Sequence, residues 1–387
     1  TMGASGQQAF RQVYLPQLRP ALVGGATLIF VMSLGFFLTP AILGGPRDVT
    51  IPIYIQQQVN LFAWGKASAA GIMLLVVSVA GYLLAFRIGG VHLLTPGRRS
   101  GSRGSSSRDE IRLTPATIAC FGVLGLVFCV LLLPLVIVAF SAFGATSQIR
   151  FPPVGFTVSW LEQALTDPQW TAAILKGLAT AVLSTCGALA LARVGSQSKS
   201  QFGKVFIQGV AISPVIVPVI LLAIGTFDVQ GRIGLLGTEF GLVVAHVTIA
   251  LPLSFLIIAN GLSNLDPALE QAAWTMGVSP ARTFWTVVVP NINLALIGSA
   301  LAAFATSWDE AVIALFQVGL EKTLPVTIYS FLKSGVTPVV AAIAVLMTVP
   351  IPVLFIAASI FNKRRQRSAE DRTSPRGPWD GSEEQKE

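Results

Sequence analysis

The sequence predicts an all-α integral membrane protein of about eight spans, and three observations carry that expectation. Hydrophobic residues make up 53% of the chain and charged residues only 11%, with a mean hydropathy of +0.72. A soluble domain carries roughly a quarter charged residues. Second, apolar stretches long enough to cross a hydrocarbon core of roughly 30 Å recur at about 20–42, 67–89, 116–142, 171–192, 204–226, 239–261, 293–317 and 337–361. Third, one passage occurs twice. TMGASGQQAFRQVYLPQLRPALVGGATLIFVMS opens the chain, and TMGVSPARTFWTVVVPNINLALIGSALAAFATS begins at Thr275, a constant offset of 274. Gly3, Ser5, Phe10, Pro16, Phe30 and Ser33 are thereby matched to Gly277, Ser279, Phe284, Pro290, Phe304 and Ser307. After a one-residue slip, TIPIYI at Thr50 matches TLPVTI at Thr323. A repeat of this length is an architectural unit.

Taken in order, the elements divide the chain into four parts. Residues 1–92 hold the first copy of the repeat and two spans. Residues 93–115 (LLTPGRRSGSRGSSSRDEIRLTP) are rich in Gly, Ser and Arg and read as a flexible linker. Residues 116–367 hold six spans, with the second copy after the fourth. The polar tail 368–387 has the composition of disorder. Lys176 dilutes the fourth stretch and lies near its end, where it can snorkel. Pro214, Pro218, Pro252 and Pro350 are expected to kink their spans. The loop 143–170 carries Trp160 and Trp170, suited to a membrane–water interface, and its SWLEQAL stretch suits a short surface helix. The chain begins on a polar segment rather than a cleavable signal, so the first span is expected to be its own insertion signal. Because the first repeat has only two spans after it and none before it, the chain reads as either cut at its start or fused.

Charge sets the orientation. With the N-terminus inside, the cytoplasmic segments up to Arg367 hold sixteen Lys and Arg and the external ones seven. That is the positive-inside pattern. It places both copies of the repeat and both termini in the cytoplasm. The net charge of +8 is accounted for by this bias, and no nucleic-acid partner is expected. Cys120, Cys129 and Cys186 fall in spans without ligand spacing and read as packing residues. No metal site is expected. His92 and His246 each stand alone and read as structural. The sequence has no phosphate-binding G-x4-G-K-[ST] loop, no Ser/His/Asp, HExxH or CxxC set, and so no cofactor or catalytic residue of its own.

The repeated passage has the grammar of a helical hairpin. Asp266 is an N-cap and Pro267 suits the first helical position. Leu269, Ala272, Ala273 and Met276 recur at helical spacing as a narrow apolar face. Gly277 supplies the stop, Ser279 and Pro280 open a second helix, and Pro290 introduces the next span. Such a helix either packs on its own spans or docks in a groove of another protein. Asp309 and Glu310 lie within the seventh apolar stretch, where an acid costs roughly 2.5–3.5 kcal/mol on insertion scales. They either line a translocation path for a cation or form an internal helix–helix bond. Trp308 either stacks on a ligand or packs. The first copy has Gly35 and Phe36 at those places.

LEQAAWTMGVSPARTFWTVVVP resembles the EAA loop of permease subunits in bacterial ABC importers, E-A-A-x3-G-x9-I-x-L-P. Ala272, Ala273, Gly277 and Pro290 fall in register. Gln271 stands at the family's Glu, with Glu270 one place earlier, and Val287 and Val289 replace Ile and Leu. Gly3 and Pro16 are the counterparts in the first copy. SLGFFLTPAILGGP is similar to the first permease of polyamine systems, and FPPVGFTVSWLEQAL and SWDEAVIALF to the second, the spermidine/putrescine type. The resemblance implies the end of one permease joined to a nearly complete second one, in a bacterial inner membrane. It further implies a cytoplasmic ATPase dimer that carries the ATP and Mg, docked on the loop around Glu270–Gly277. An extracytoplasmic solute-binding protein would deliver the solute, and a second permease subunit or another copy of this chain would complete the assembly. A gradient-driven carrier with its ion site at Asp309/Glu310, or a non-transporting remnant, are the rival readings.

Overall fold

The computed structural model describes residues 5–89, 115–148, 150–195, 201–319, 321–335, 337–357 and 359–360. Gly3, His92, the linker up to residue 114 and the tail 368–387 lie outside the described residues. Among the described residues regular structure is helical, apart from one isolated antiparallel bridge between Gly144 and Phe156.

Among the described residues six helices are long and apolar enough to cross a membrane. They are α1 (Gln7–Leu34), α4 (Trp64–Gly89), α5 (Pro115–Ser141), α7 (Pro168–Gly195), α10 (Glu239–Ser263) and α16 (Pro338–Ala357). Short helices join them: α2 (Leu38–Leu43), α3 (Ile51–Asn60), α6 (Ser159–Thr166), α11 (Pro267–Thr275), α14 (Val312–Gln317) and α15 (Leu324–Ser334). Two further spans are broken pairs. The pair α8 (Gln201–Ile216) and α9 (Val219–Arg232) bends by 112°, and the pair α12 (Pro280–Asn291) and α13 (Asn293–Trp308) by 78°.

The breaks correct three expected spans. The stretch at 204–226 is not one helix, because Pro218 has no N–H to donate and disfavours helical backbone at Val217. Pro214 and Pro252, by contrast, lie inside continuing helices. The stretch at 20–42 ends as a span at Leu34, and that at 293–317 at Trp308. Each of these is followed by a short separate helix. The three cysteines are also corrected. All are exposed on the outward faces of their helices rather than packed inside.

Small residues set the core. Along α7, Ala173, Gly177, Ala181, Ser184, Ala188 and Ala192 recur at three- and four-residue spacing and are buried. They face α10 and α13, where Ala188, Ala250 and Ala303 meet with no exposure at all. Between membrane helices there is no hydrophobic drive to associate, so close backbone approach through small residues does that work. A second core joins the two halves of the chain. Phe37, Ile55, Ala67 and Leu74 pack with Ile220 and Ala223 of α9 and with Val312, Ile313 and Tyr329. The Phe37 and Tyr329 rings lie 6.1 Å apart. Gly35 makes room there, since a Cβ would sit 3.3 Å from the Val219 nitrogen.

The repeat is carried in the backbone. α1 and α13 end at matched residues, Leu34 and Trp308, and α2 and α14 occupy matched residues throughout. Gly35 has φ −85°, ψ 0° and Asp309 φ −92°, ψ 2°. Thr50 (φ −78°, ψ 161°) and Thr323 (φ −70°, ψ 162°) lead into α3 and α15 alike. Phe37→Ala opens a cavity at the seam between the copies, at a cost of about 3–5 kcal/mol for such truncations. The expected outcome is a lowered melting midpoint in detergent, with Leu28→Ala on the outward face of α1 as an unaffected control.

Candidate functional site

Two places carry chemistry. The first is the hairpin between α10 and α13. Asp266 Oδ1 accepts the Ala268 N–H at 2.9 Å, and Pro267 takes the first helical position. Gly277 has φ +80°. Its N–H bonds to Trp274 O at 2.9 Å, and the Val278 N–H to Ala273 O at 3.1 Å. This paired arrangement closes a helix on a left-handed residue and explains the glycine. The second arm contains a π-helical turn at Phe284–Val288, and α1 has one at the matched residues Phe10–Tyr14. Neither turn was legible in the sequence, since π turns share the composition of ordinary helix. In the first copy Ser5 and Gln8 form a reciprocal cap, with N–H to side-chain oxygen distances of 3.0 and 3.3 Å.

The expected apolar face of α11 is partly corrected. Ala273 is buried against its own chain, 3% exposed. Leu269, Ala272 and Met276 do face outward, joined by Trp274 and Trp285. Gln271 is exposed, whereas Glu270 is half-buried. Pro290 is half-buried and its counterpart Pro16 is exposed.

The second place is the break after α13. Asp309 and Glu310 are not mid-helix but follow its last residue, and their N–H groups still bond back to Ala305 O and Ser307 O at 3.3 and 3.4 Å. Glu310 Oε1 accepts the Ile313 N–H at 2.7 Å, so this carboxylate caps the start of α14. Asp309 is exposed, and among the described residues it holds no ion pair. Trp308 is 4% exposed, donates Nε1–H to Met347 O at 3.0 Å and stacks on Phe304. Its ring is packed inside the protein.

A polar chain that sequence reasoning missed reaches this break. Lys176 Nζ lies 3.2 Å from Glu239 and 3.4 Å from Glu321. Thr180 Oγ1 donates to Glu239 at 3.2 Å, and Ser184 Oγ lies 2.7 Å from both Thr180 O and Ser307 Oγ. His246 Nδ1 meets Ser307 Oγ at 2.8 Å. Among the described residues His246 Nε2 is buried without a partner. Ser307 Oγ is the point where His246 Nδ1 and Ser184 Oγ meet. Small hydroxyls on helix faces are too common in spans to announce such a chain.

The sequence model for the "binding-protein-dependent transport system inner membrane component" family matches residues 1–90 and 186–367, more than half of the chain. The chain belongs to that family, the permeases of ABC importers. Both copies of the repeat fall within the match. Among curated permeases, the spermidine/putrescine transport system permease protein PotC of Escherichia coli is 24% identical over 250 residues, 64% of this chain and 94% of that protein. The putrescine permease PotI of the same species is 27% identical, over 57% of this chain and 82% of PotI. The trehalose permease SugB of Mycobacterium tuberculosis is 28% identical, over 50% of this chain and 73% of SugB. With six helices long and apolar enough to cross a membrane among the described residues, or eight if each bent pair is one span, this permease is a multi-pass inner membrane protein.

Ser307→Ala removes the hub of the buried chain and leaves His246 and Ser184 short of a partner. A loss of about 1 kcal/mol is expected. It reads out as a lower detergent melting midpoint than for Thr306→Ala, whose hydroxyl bonds only its own helix.

Proposed function

We propose that this permease imports a small cationic solute of the polyamine class, and that Asp309 attracts the cation on its path. The observation that carries the proposal is the exposed Asp309 carboxylate at the break between α13 and α14, which holds no ion pair among the described residues. A carboxylate held near a membrane interior is costly unless it meets a cation or water. PotC and PotI, named for polyamines, are among the relatives. SugB, named for trehalose, a neutral sugar, is another relative.

Membership in the family supports the rest of this reading. A cytoplasmic ATPase dimer, which carries ATP and Mg, docks on the outward apolar face of α11: Leu269, Ala272, Trp274 and Met276. A binding protein delivers the solute from outside, and a second permease subunit or another copy of this chain completes the translocation path. Both termini are cytoplasmic. This chain supplies no catalytic residue; it converts closure of the ATPase into movement of its spans.

Uptake of labelled putrescine and spermidine, with trehalose as competitor, tests the solute. Asp309→Asn is expected to raise the half-saturating polyamine concentration about tenfold, the scale of one charge-assisted bond. Unchanged polyamine uptake, or competition by trehalose, sinks the proposal. Docking is tested separately by co-purifying the tagged permease with its ATPase. Met276→Glu is expected to abolish retention while leaving membrane insertion intact.

A further inference from the structure

The loop 143–158, between α5 and α6, turns apolar side chains outward where the sequence leads one to expect tryptophans at the interface. Trp170 is 2% exposed, its ring 4.6 Å from that of Phe331. Trp160 packs on the same core and donates Nε1–H to Gly144 O at 2.7 Å. The outward places belong instead to Phe151, Val154, Phe156 and Val158, each more than half exposed. Arg150 is the one charged residue in 143–158, and it is exposed. A single exposed apolar side chain is ordinary, but four within eight positions mark a surface that meets something apolar.

The loop is built to hold that surface out. The Thr157 N–H bonds to Phe143 O at 2.8 Å and the Ala145 N–H to Gly155 O at 3.3 Å. Gly155 takes φ +76°, a turn that a side chain would strain. Irregular backbone beside lipid is tolerated only where its polar groups find partners within the protein. Here the backbone bonds inward and the apolar side chains point away.

Its place in the fold names the partner. The loop follows α5, whose most apolar stretch has a mean hydropathy of 3.1 and no buried residue, and which packs on α16. Phe140, exposed in the last turn of α5, meets the Phe151 ring edge-on at 6.4 Å. The apolar surface of the loop therefore continues that of a membrane span. From the far side of α6, α7 runs 28 residues, about 42 Å, to the end where Arg193 stacks on Phe284 of the hairpin. The loop thus lies at the membrane face opposite the hairpin.

We propose that the loop 143–158 is an interfacial anchor: Phe151, Val154, Phe156 and Val158 enter the boundary between headgroups and acyl chains in the leaflet away from the hairpin, and Arg150 meets the lipid phosphates. Apolar and aromatic side chains beside a basic residue are the composition that this boundary favours. The occupant of this surface is lipid, not the solute-binding protein or a second permease subunit. The proposal is independent of the solute and of where the ATPase docks.

The test uses the full permease in phosphatidylcholine vesicles, with the exposed Cys120, Cys129 and Cys186 replaced by alanine. An environment-sensitive NBD label is placed on Val154→Cys or Phe156→Cys, and on Gln163→Cys at an exposed polar position of α6 as the aqueous control. The labels at 154 and 156 are expected to emit to the blue of the control. They lose emission to spin-labelled lipid whose nitroxide sits high on the acyl chain, and lose less to one near the chain end. Iodide quenches the control and spares them. Arg150→Glu weakens the lipid quenching at both. Either label position suffices, since both side chains are exposed and their replacement leaves the core intact. Iodide quenching at 154 and 156 equal to that of the control overturns the proposal. Lipid quenching that is lost when the binding protein or a second permease subunit is added overturns it too, and assigns the surface to that protein.

Discussion

Close approach of three helices at Ala188, Ala250 and Ala303 is the constraint on which the rest of this permease depends. Within lipid, apolar side chains gain little by leaving one another or finding one another, so helices hold together through dispersion contacts and short polar bonds. Both require backbones near each other. The small stripe on α7 meets that requirement, and it also allows hydroxyls as short as those of Ser184 and Ser307 to reach across between helices at 2.7 Å. A larger residue at Ala188, one turn from Ser184, would part α7 from α10 and α13 beside that bridge. The polar chain and the packing are thus one feature, not two.

The breaks in the spans obey the complementary constraint. An irregular stretch inside a membrane is tolerated only where its backbone groups find partners. At Gly35 and Asp309 the N–H groups still reach back to Val31 O and Ala305 O, and at α14 the Glu310 carboxylate takes the Ile313 N–H. The first copy achieves the same turn without an acid, because α2 begins after Phe36 and Phe37 with no side-chain cap. The geometry is common to both copies and the charge belongs to one of them. That asymmetry supports a functional rather than architectural role for Asp309, since the backbone turn forms equally well with glycine.

Much of the hairpin was legible in the sequence, because its signals act within a few residues. Asp266, Pro267, Gly277 and Pro290 each do what local chemistry requires of them. The inward turn of Ala273 was not legible, because a helical pattern defines a stripe but not where the neighbours lie. Nor was the stacking of Arg193 on Phe284. That ring is about ninety residues downstream in the chain, and a lone Arg at the end of a span reads as one more positive-inside charge. The same holds for His246, which reads as an isolated histidine until α13 brings Ser307 to it.

By itself the sequence determined the all-helical membrane class, the approximate places of the eight apolar stretches, the repeat and the hairpin's caps and stop. These follow from hydropathy over about 20 residues and from turn chemistry over four or five, distances within which the chain interacts with itself regardless of the fold. Tertiary structure decided where two of the spans break, which face of α11 is free, which of Asp309 and Glu310 is left exposed, and which charges are held as pairs. Those outcomes depend on groups far apart in sequence competing for the same small volume, and only the packed helices fix which of them meet.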